Sequence, residues 1–106
     1  MITHTGRGMK FCICHPQLKP SLALLDPKLT LSLPHDLTAW TGADAMIHAI
    51  EAYLVPGFHP LCDAMALESL SLISHFLPLV VKEPDNLGAR GGMSVSYTHL
   101  TLPTTR

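Results

Sequence analysis

An aspartate and a histidine, Asp44 and His48, stand four residues apart in a segment rich in helix-forming residues. Side chains at positions i and i+4 lie one above the other on the same face of an α-helix. The carboxylate and the imidazole can therefore reach one point, as two ligands of a divalent cation would. This ligand pair suits Fe²⁺ or Zn²⁺ better than a cation that prefers thiolates. Two ligands do not complete a metal site, and on spacing alone an ordinary hydrogen-bonded helical pair is the commoner interpretation.

The segments around this pair are predicted to be mainly helical. Apolar residues at helical spacing predict one helix from about Leu33, ended by Pro56-Gly57, and a second over about 60–81. Within the first helix, Gly42 predicts either a break or a close approach of another helix. A third helix opens at Ala89-Arg90 and is expected to end within about two turns, because Gly91-Gly92 weakens it.

The N-terminal part is predicted to form short β-strands. Residues 10–13 and the apolar run Ser21-Leu22-Ala23-Leu24-Leu25 are the two candidates, and Asp26-Pro27 ends the second. The predicted fold class is therefore a mainly α chain with short N-terminal β-strands.

Composition excludes several classes of function. The 106 residues are 47% hydrophobic with a net charge of -1, which is typical of one small soluble domain. The low charged fraction of 14% favours a piece of something larger, with surfaces meant to be covered. The sequence has no cluster of basic residues of the kind that binds nucleic acid, so no nucleic-acid partner is expected. No apolar run approaches the roughly 20 residues that span a bilayer, so no membrane partner is expected. The N-terminus lacks the apolar core of a signal peptide, and a cytoplasmic location is expected.

Three cysteines are present, an odd number that forms no complete disulfide framework. Cys12 and Cys14 lie at a spacing that points two strand thiols to the same face, which would allow a zinc site. Since no second Cys/His cluster with ligand spacing accompanies them, buried strand cysteines are the favoured interpretation. Cys62 is expected at the start of a helix.

Several ordered stretches of the chain resemble the iron-containing alcohol dehydrogenase family. The resemblance covers roughly residues 2–94. The stretches that carry it are Asp26-Pro27-Lys28-Leu29-Thr30, Leu33-Pro34, Leu37-Thr38-Ala39, the Asp44/His48 segment, Asp63-Ala64-Met65-Ala66-Leu67 and Ala89-Arg90.

The resemblance implies a set of site residues. Asp44 and His48 would be the first two of four metal ligands, the other two being histidines further along the family's chains. Lys10 and Leu29 would lie near the dinucleotide, NAD or NADP. For Lys10 a solvated surface lysine remains the alternative, and for Leu29 simple packing. No catalytic residue is assigned.

The resemblance also implies a domain organisation. Residues 1–28 would end an α/β nucleotide-binding domain, and residues 29–94 would begin an all-helical metal-binding domain. Residues 95–106 read as the translation of DNA that looks like a transposase-end adapter used for sequencing libraries. We therefore expect a non-native tail there, rather than the β-strand that Val, Tyr and Thr would otherwise favour.

The function implied is hydride transfer between a small alcohol or aldehyde and NAD(P), with the metal as Lewis acid. As a fragment, the chain itself is expected to be inactive. A non-catalytic helical interaction module and a glycerol dehydrogenase-like enzyme are the alternatives. The sequence leaves open which alcohol is used and whether the parent enzyme is a homo-oligomer.

Overall fold

The computed structural model describes residues 2–12, 15–18 and 21–101. Strands β1 (Ile2–His4) and β2 (Met9–Phe11) pair antiparallel, with Thr3 opposite Lys10. The chain reverses between them through the single turn Thr5–Arg7 and through Gly8, whose φ of 58° is in the left-handed region that glycine adopts at low cost. Short 3-10 turns follow at Pro16–Leu18 and Pro27–Thr30.

Three α-helices make up most of the remaining structure. They are α1 (His35–Leu54), α2 (Pro60–Lys82) and α3 (Leu87–Thr101). Pro34 precedes α1 and its carbonyl accepts the N–H of Thr38 at 2.9 Å, while Pro60 opens α2, where its missing N–H costs nothing. The predicted fold class, mainly α with short N-terminal strands, is confirmed.

Three local predictions are corrected. The run at 21–25 is exposed and irregular, because no strand pairs with it among the described residues. Helix α3 does not end within two turns but continues to Thr101, so the described part of the segment from 95 onward is helical, not a β-strand. Cys12 is exposed and lies just beyond β2, so it is not a buried strand cysteine, and Cys14 and Ile13 lie outside the described residues. Cys62 lies at the start of α2, as predicted.

Helix α2 packs between α1 and α3, and two glycines let the helices approach closely. A Cβ built on Gly42 would come within 2.2 Å of a Leu77 methyl carbon, and one built on Gly92 within 2.2 Å of the Phe76 ring. The close approach predicted at Gly42 is therefore confirmed. The buried apolar residues are mostly small, as close helix packing requires: Ala45, Ala49, Ala66, Ile73, Val80 and Ala89.

One face of α1 carries large apolar side chains that nothing in the described residues covers. Trp40, Ile47 and Leu54 recur every seven residues and are 67%, 57% and 69% exposed. Residues two helical turns apart lie along the same side of a helix, so the three form one stripe.

The prediction that no segment is long and apolar enough to span a membrane is not met by α2. By length and composition it could, since the mean hydropathy of its most apolar 18-residue window is 1.6, with 22% of that window buried. One such helix is weak evidence, because the core helices of soluble proteins meet the same criterion.

Candidate metal centre

Asp44 and His48 lie on the same face of α1, as their spacing predicts. Asp44 Oδ2 and His48 Nδ1 are 3.5 Å apart, and the side chains are 67% and 50% exposed. This distance exceeds the 2.7–3.2 Å typical of a hydrogen bond from nitrogen to oxygen. By contrast, the neighbouring pair His35 and Asp36 lies at 3.1 Å and is hydrogen-bonded. The geometry therefore brings the two groups together without a strong bond between them.

The separation of the two atoms fits ligands of one cation. Two ligands about 2.1 Å from a metal at a tetrahedral angle are about 3.4 Å apart. Carboxylate oxygen and imidazole nitrogen are also a donor set that Fe²⁺ and Zn²⁺ accept. Within the described residues no group of three or more His, Cys, Asp or Glu side chains could hold a metal ion. The described part of the chain thus provides two ligands, and the others must come from elsewhere.

Asp44 lines a cleft of about 430 Å³ that lies between the three helices and the segment before α1. His48 is not part of the lining. Helix α1 contributes Thr38, Thr41, Gly42, Asp44 and Ala45 to the lining. Helices α2 and α3 contribute Val80, Arg90, Met93, Ser94, Tyr97 and Thr98, and the segment before α1 contributes Leu25, Thr30 and Leu33.

The threonines of α1 leave this cleft less polar than their hydroxyls indicate. The Thr38 hydroxyl donates to the Pro34 carbonyl at 3.1 Å, and the Thr41 hydroxyl donates to the Leu37 carbonyl at 2.7 Å. Both donors are therefore used within the helix. With Leu25, Leu33, Ala45, Val80 and Met93 around it, the Asp44 carboxylate lies beside a mainly apolar space, as is usual for small-molecule sites.

Arg90 is a buried cation in the wall of the same cleft, with 3% of its surface exposed. Its Nε donates to the Pro84 carbonyl and its Nη1 to the Thr30 carbonyl, each at 2.5 Å. Its Nη2 is buried and finds no acceptor among the described residues. In the sequence, Arg90 is informative only as part of the Ala89-Arg90 stretch. A single arginine in an Ala- and Gly-rich helix start was the available signal, but its burial depends on Thr30, sixty residues earlier.

The two residues expected near a dinucleotide are both exposed. Lys10 is exposed on β2, and Leu29 is 81% exposed in the Pro27–Thr30 turn. Neither lines the cleft, although Thr30, next to Leu29, does. Leu29 is therefore not packed against the other described residues.

A carboxylate and an imidazole that converge beside an apolar cleft are typical of metal-dependent enzymes. The C-terminal sequence model of the Fe-containing alcohol dehydrogenase family matches residues 38–100, more than half of the chain. The chain therefore belongs to this family. The match begins before Asp44 and runs through most of α3.

Individual relatives agree with this membership. The chain is 37% identical over 94 residues to the NAD-dependent methanol dehydrogenase of Bacillus methanolicus, covering 89% of this chain and 25% of that protein. It is 39% identical over 94 residues to the 1,3-propanediol dehydrogenase of Citrobacter freundii, covering 89% of this chain and 24% of that protein. The chain thus spans about a quarter of the length of these relatives.

A solved structure shows the same fold. Sulfoacetaldehyde reductase from Bifidobacterium kashiwanohense, crystallised with NAD⁺, superposes with a TM-score of 0.85 at 36% identity. The likeness covers 98% of this chain and 28% of the reductase chain. This is consistent with a segment of a two-domain fold, and neither the interaction module nor the glycerol dehydrogenase-like alternative is favoured.

Proposed function

We propose that this chain is a segment of a metal- and NAD(P)-dependent alcohol dehydrogenase or aldehyde reductase, and that it supplies half of the metal site. The observation that carries the proposal is the Asp44–His48 pair, 3.5 Å apart on one face of α1 and inside the region that matches the family. Support for the cofactor comes from two relatives, a dehydrogenase named as NAD-dependent and a reductase crystallised with NAD⁺.

The roles of the residues follow from their chemistry. Asp44 would hold Fe²⁺ or Zn²⁺ and offset part of its charge, and His48 would bind it through the lone pair of a neutral imidazole. When bound, the cation would supply Lewis-acid chemistry to an alcohol or carbonyl oxygen, and the nicotinamide cofactor would supply hydride transfer.

The segment alone should be inactive. It offers two metal ligands within its described residues, and proximity and orientation of two substrates need a far more complete site. Lys10 and Leu29 would contribute to the dinucleotide site only together with the remainder of the enzyme.

Metal analysis of the full-length protein that contains this segment tests the proposal. His48→Ala and Asp44→Ala should each lower the bound metal at least tenfold and abolish NAD(P)-dependent oxidation of small alcohols. His35→Ala is the matched control, because it removes a histidine paired with an aspartate on the same helix, at 3.1 Å and away from the cleft. Full metal content in His48→Ala, or equal loss in the control, would overturn the assignment.

A further inference from the structure

The Pro27–Thr30 turn is held in place from two sides. From inside, the Thr30 hydroxyl donates to the Pro27 carbonyl at 2.8 Å, and Asp26 Oδ1 accepts the Lys28 N–H at 3.0 Å. From outside, Arg90 of α3 donates Nη1 to the Thr30 carbonyl. The internal bonds fix the shape of the turn, and the Arg90 bond is the described side-chain hydrogen bond that ties the turn to a helix.

Arg90 can fix that position because its guanidinium is a rigid, planar fork. One arm reaches the Thr30 carbonyl and the other the Pro84 carbonyl in the connection between α2 and α3. Arg90 is only 3% exposed, and no described carboxylate forms an ion pair with its guanidinium. Burying a cation against neutral carbonyls alone is a costly way to gain stability. The arrangement is better explained by the geometry that it enforces.

That geometry concerns the cleft. Thr30 and Arg90 line one side of it, and Asp44 lines the side formed by α1. Leu29, next to Thr30, is exposed and belongs to the proposed dinucleotide site. The Arg90 guanidinium therefore holds the turn that carries Leu29, in a wall of the same cleft that Asp44 lines.

We infer that Arg90 is a positioning residue: by holding the Pro27–Thr30 turn against α3, it sets where the nicotinamide cofactor lies relative to the Asp44–His48 pair. This inference rests on the proposed function. Arg90 would act through the backbone, because its described hydrogen bonds go to the Thr30 and Pro84 carbonyls.

The test compares three variants of the full-length protein. Arg90→Lys keeps the charge but loses the fork. Thr30→Val keeps the side-chain volume but removes the hydroxyl that braces the same turn. Ile73→Val is the control, since Ile73 is fully buried and lies outside the cleft, so that it lowers stability without touching the turn. Unfolding free energies measured for all three allow variants of equal stability to be compared.

Two measurements separate positioning from stability. The first is the dissociation constant for NAD⁺ in metal-free protein, by calorimetry, which should rise about tenfold in Arg90→Lys and by a smaller factor in Thr30→Val. The second is kcat/KM measured with an alcohol and with its deuterated form. In Arg90→Lys, kcat/KM should fall on the order of tenfold to hundredfold, and the ratio between the two forms, the isotope effect, should change. Metal content should stay unchanged in every variant.

The outcomes are distinct. Unchanged NAD⁺ binding in both turn variants, or the same change in Ile73→Val, overturns the inference. If Arg90→Lys fails to fold, Thr30→Val against Ile73→Val decides the question. If the unsubstituted full-length protein neither binds NAD⁺ nor oxidises alcohols, the proposed function fails instead.

Discussion

The neighbouring glycines of α3 provide a sharp test of the helix packing. Gly91 and Gly92 lie side by side in the interior of the helix, yet their surroundings differ. A Cβ at Gly91 would meet nothing within 4 Å, whereas one at Gly92 would lie 2.2, 2.4 and 2.6 Å from three carbons of the Phe76 ring. Alanine at Gly91 should therefore give a more stable protein than alanine at Gly92.

The magnitudes follow from two terms. Replacing glycine by alanine inside a helix gains about 1 kcal/mol, and this gain applies at both positions. Overpacking a well-filled contact costs about 1–3 kcal/mol, and this cost applies only at Gly92, where a stiff ring must move. We expect Gly91→Ala to stabilise by about 1 kcal/mol and Gly92→Ala to be less stable than Gly91→Ala by about 1–3 kcal/mol.

Urea unfolding followed by far-UV circular dichroism measures this difference directly. The unfolding midpoint of Gly91→Ala should lie above that of the original chain and that of Gly92→Ala clearly below that of Gly91→Ala, with similar slopes. Adding Phe76→Leu should bring Gly92→Ala close to Gly91→Ala in the same background, because the ring is then absent. Equal stability of the two alanine variants in the original background would refute the close packing of α3 on α2.

Four further outcomes are expected. Ile73→Ala, which empties a fully buried site, should lower the free energy of unfolding by about 2–5 kcal/mol in denaturant titration. Trp40, 67% exposed, should be readily quenched by acrylamide in the isolated chain, and strong protection would contradict the uncovered face of α1. Metal bound through His48 should be released as the pH falls, since protons compete for the imidazole, and a retained metal in acid would contradict that ligand. Gly42→Ala should cost less than Gly92→Ala in thermal unfolding, because the atom it meets is the end of a flexible Leu77 side chain.

The helical part of this structure is largely readable from sequence, because its signals are local. Helix α2 was predicted over about 60–81 and runs from Pro60 to Lys82. The spacing of Asp44 and His48 was enough to place them on one face of α1. Both inferences rest on residues a few positions apart, for which helical periodicity and proline boundaries are sufficient.

The features that were missed depend on distant partners. The run at 21–25 has the composition of a strand, but β-structure forms only where another strand pairs with it. The burial of Arg90 depends on Thr30 and Pro84, and no local pattern encodes that contact. The metal role of Asp44 and His48, the dinucleotide role of Lys10 and Leu29, the domain boundary near residue 28 and the foreign origin of 95–106 remain predictions.

The central place of α2 has a consequence for how the molecule opens. It packs along both neighbours, whereas α1 and α3 contact each other far less. Either outer helix, α1 or α3, can therefore separate while the remaining two stay paired. Local unfolding should begin at α1 or α3 and involve α2 last. Backbone amides of α2 should exchange with deuterated solvent more slowly than those of α1 or α3.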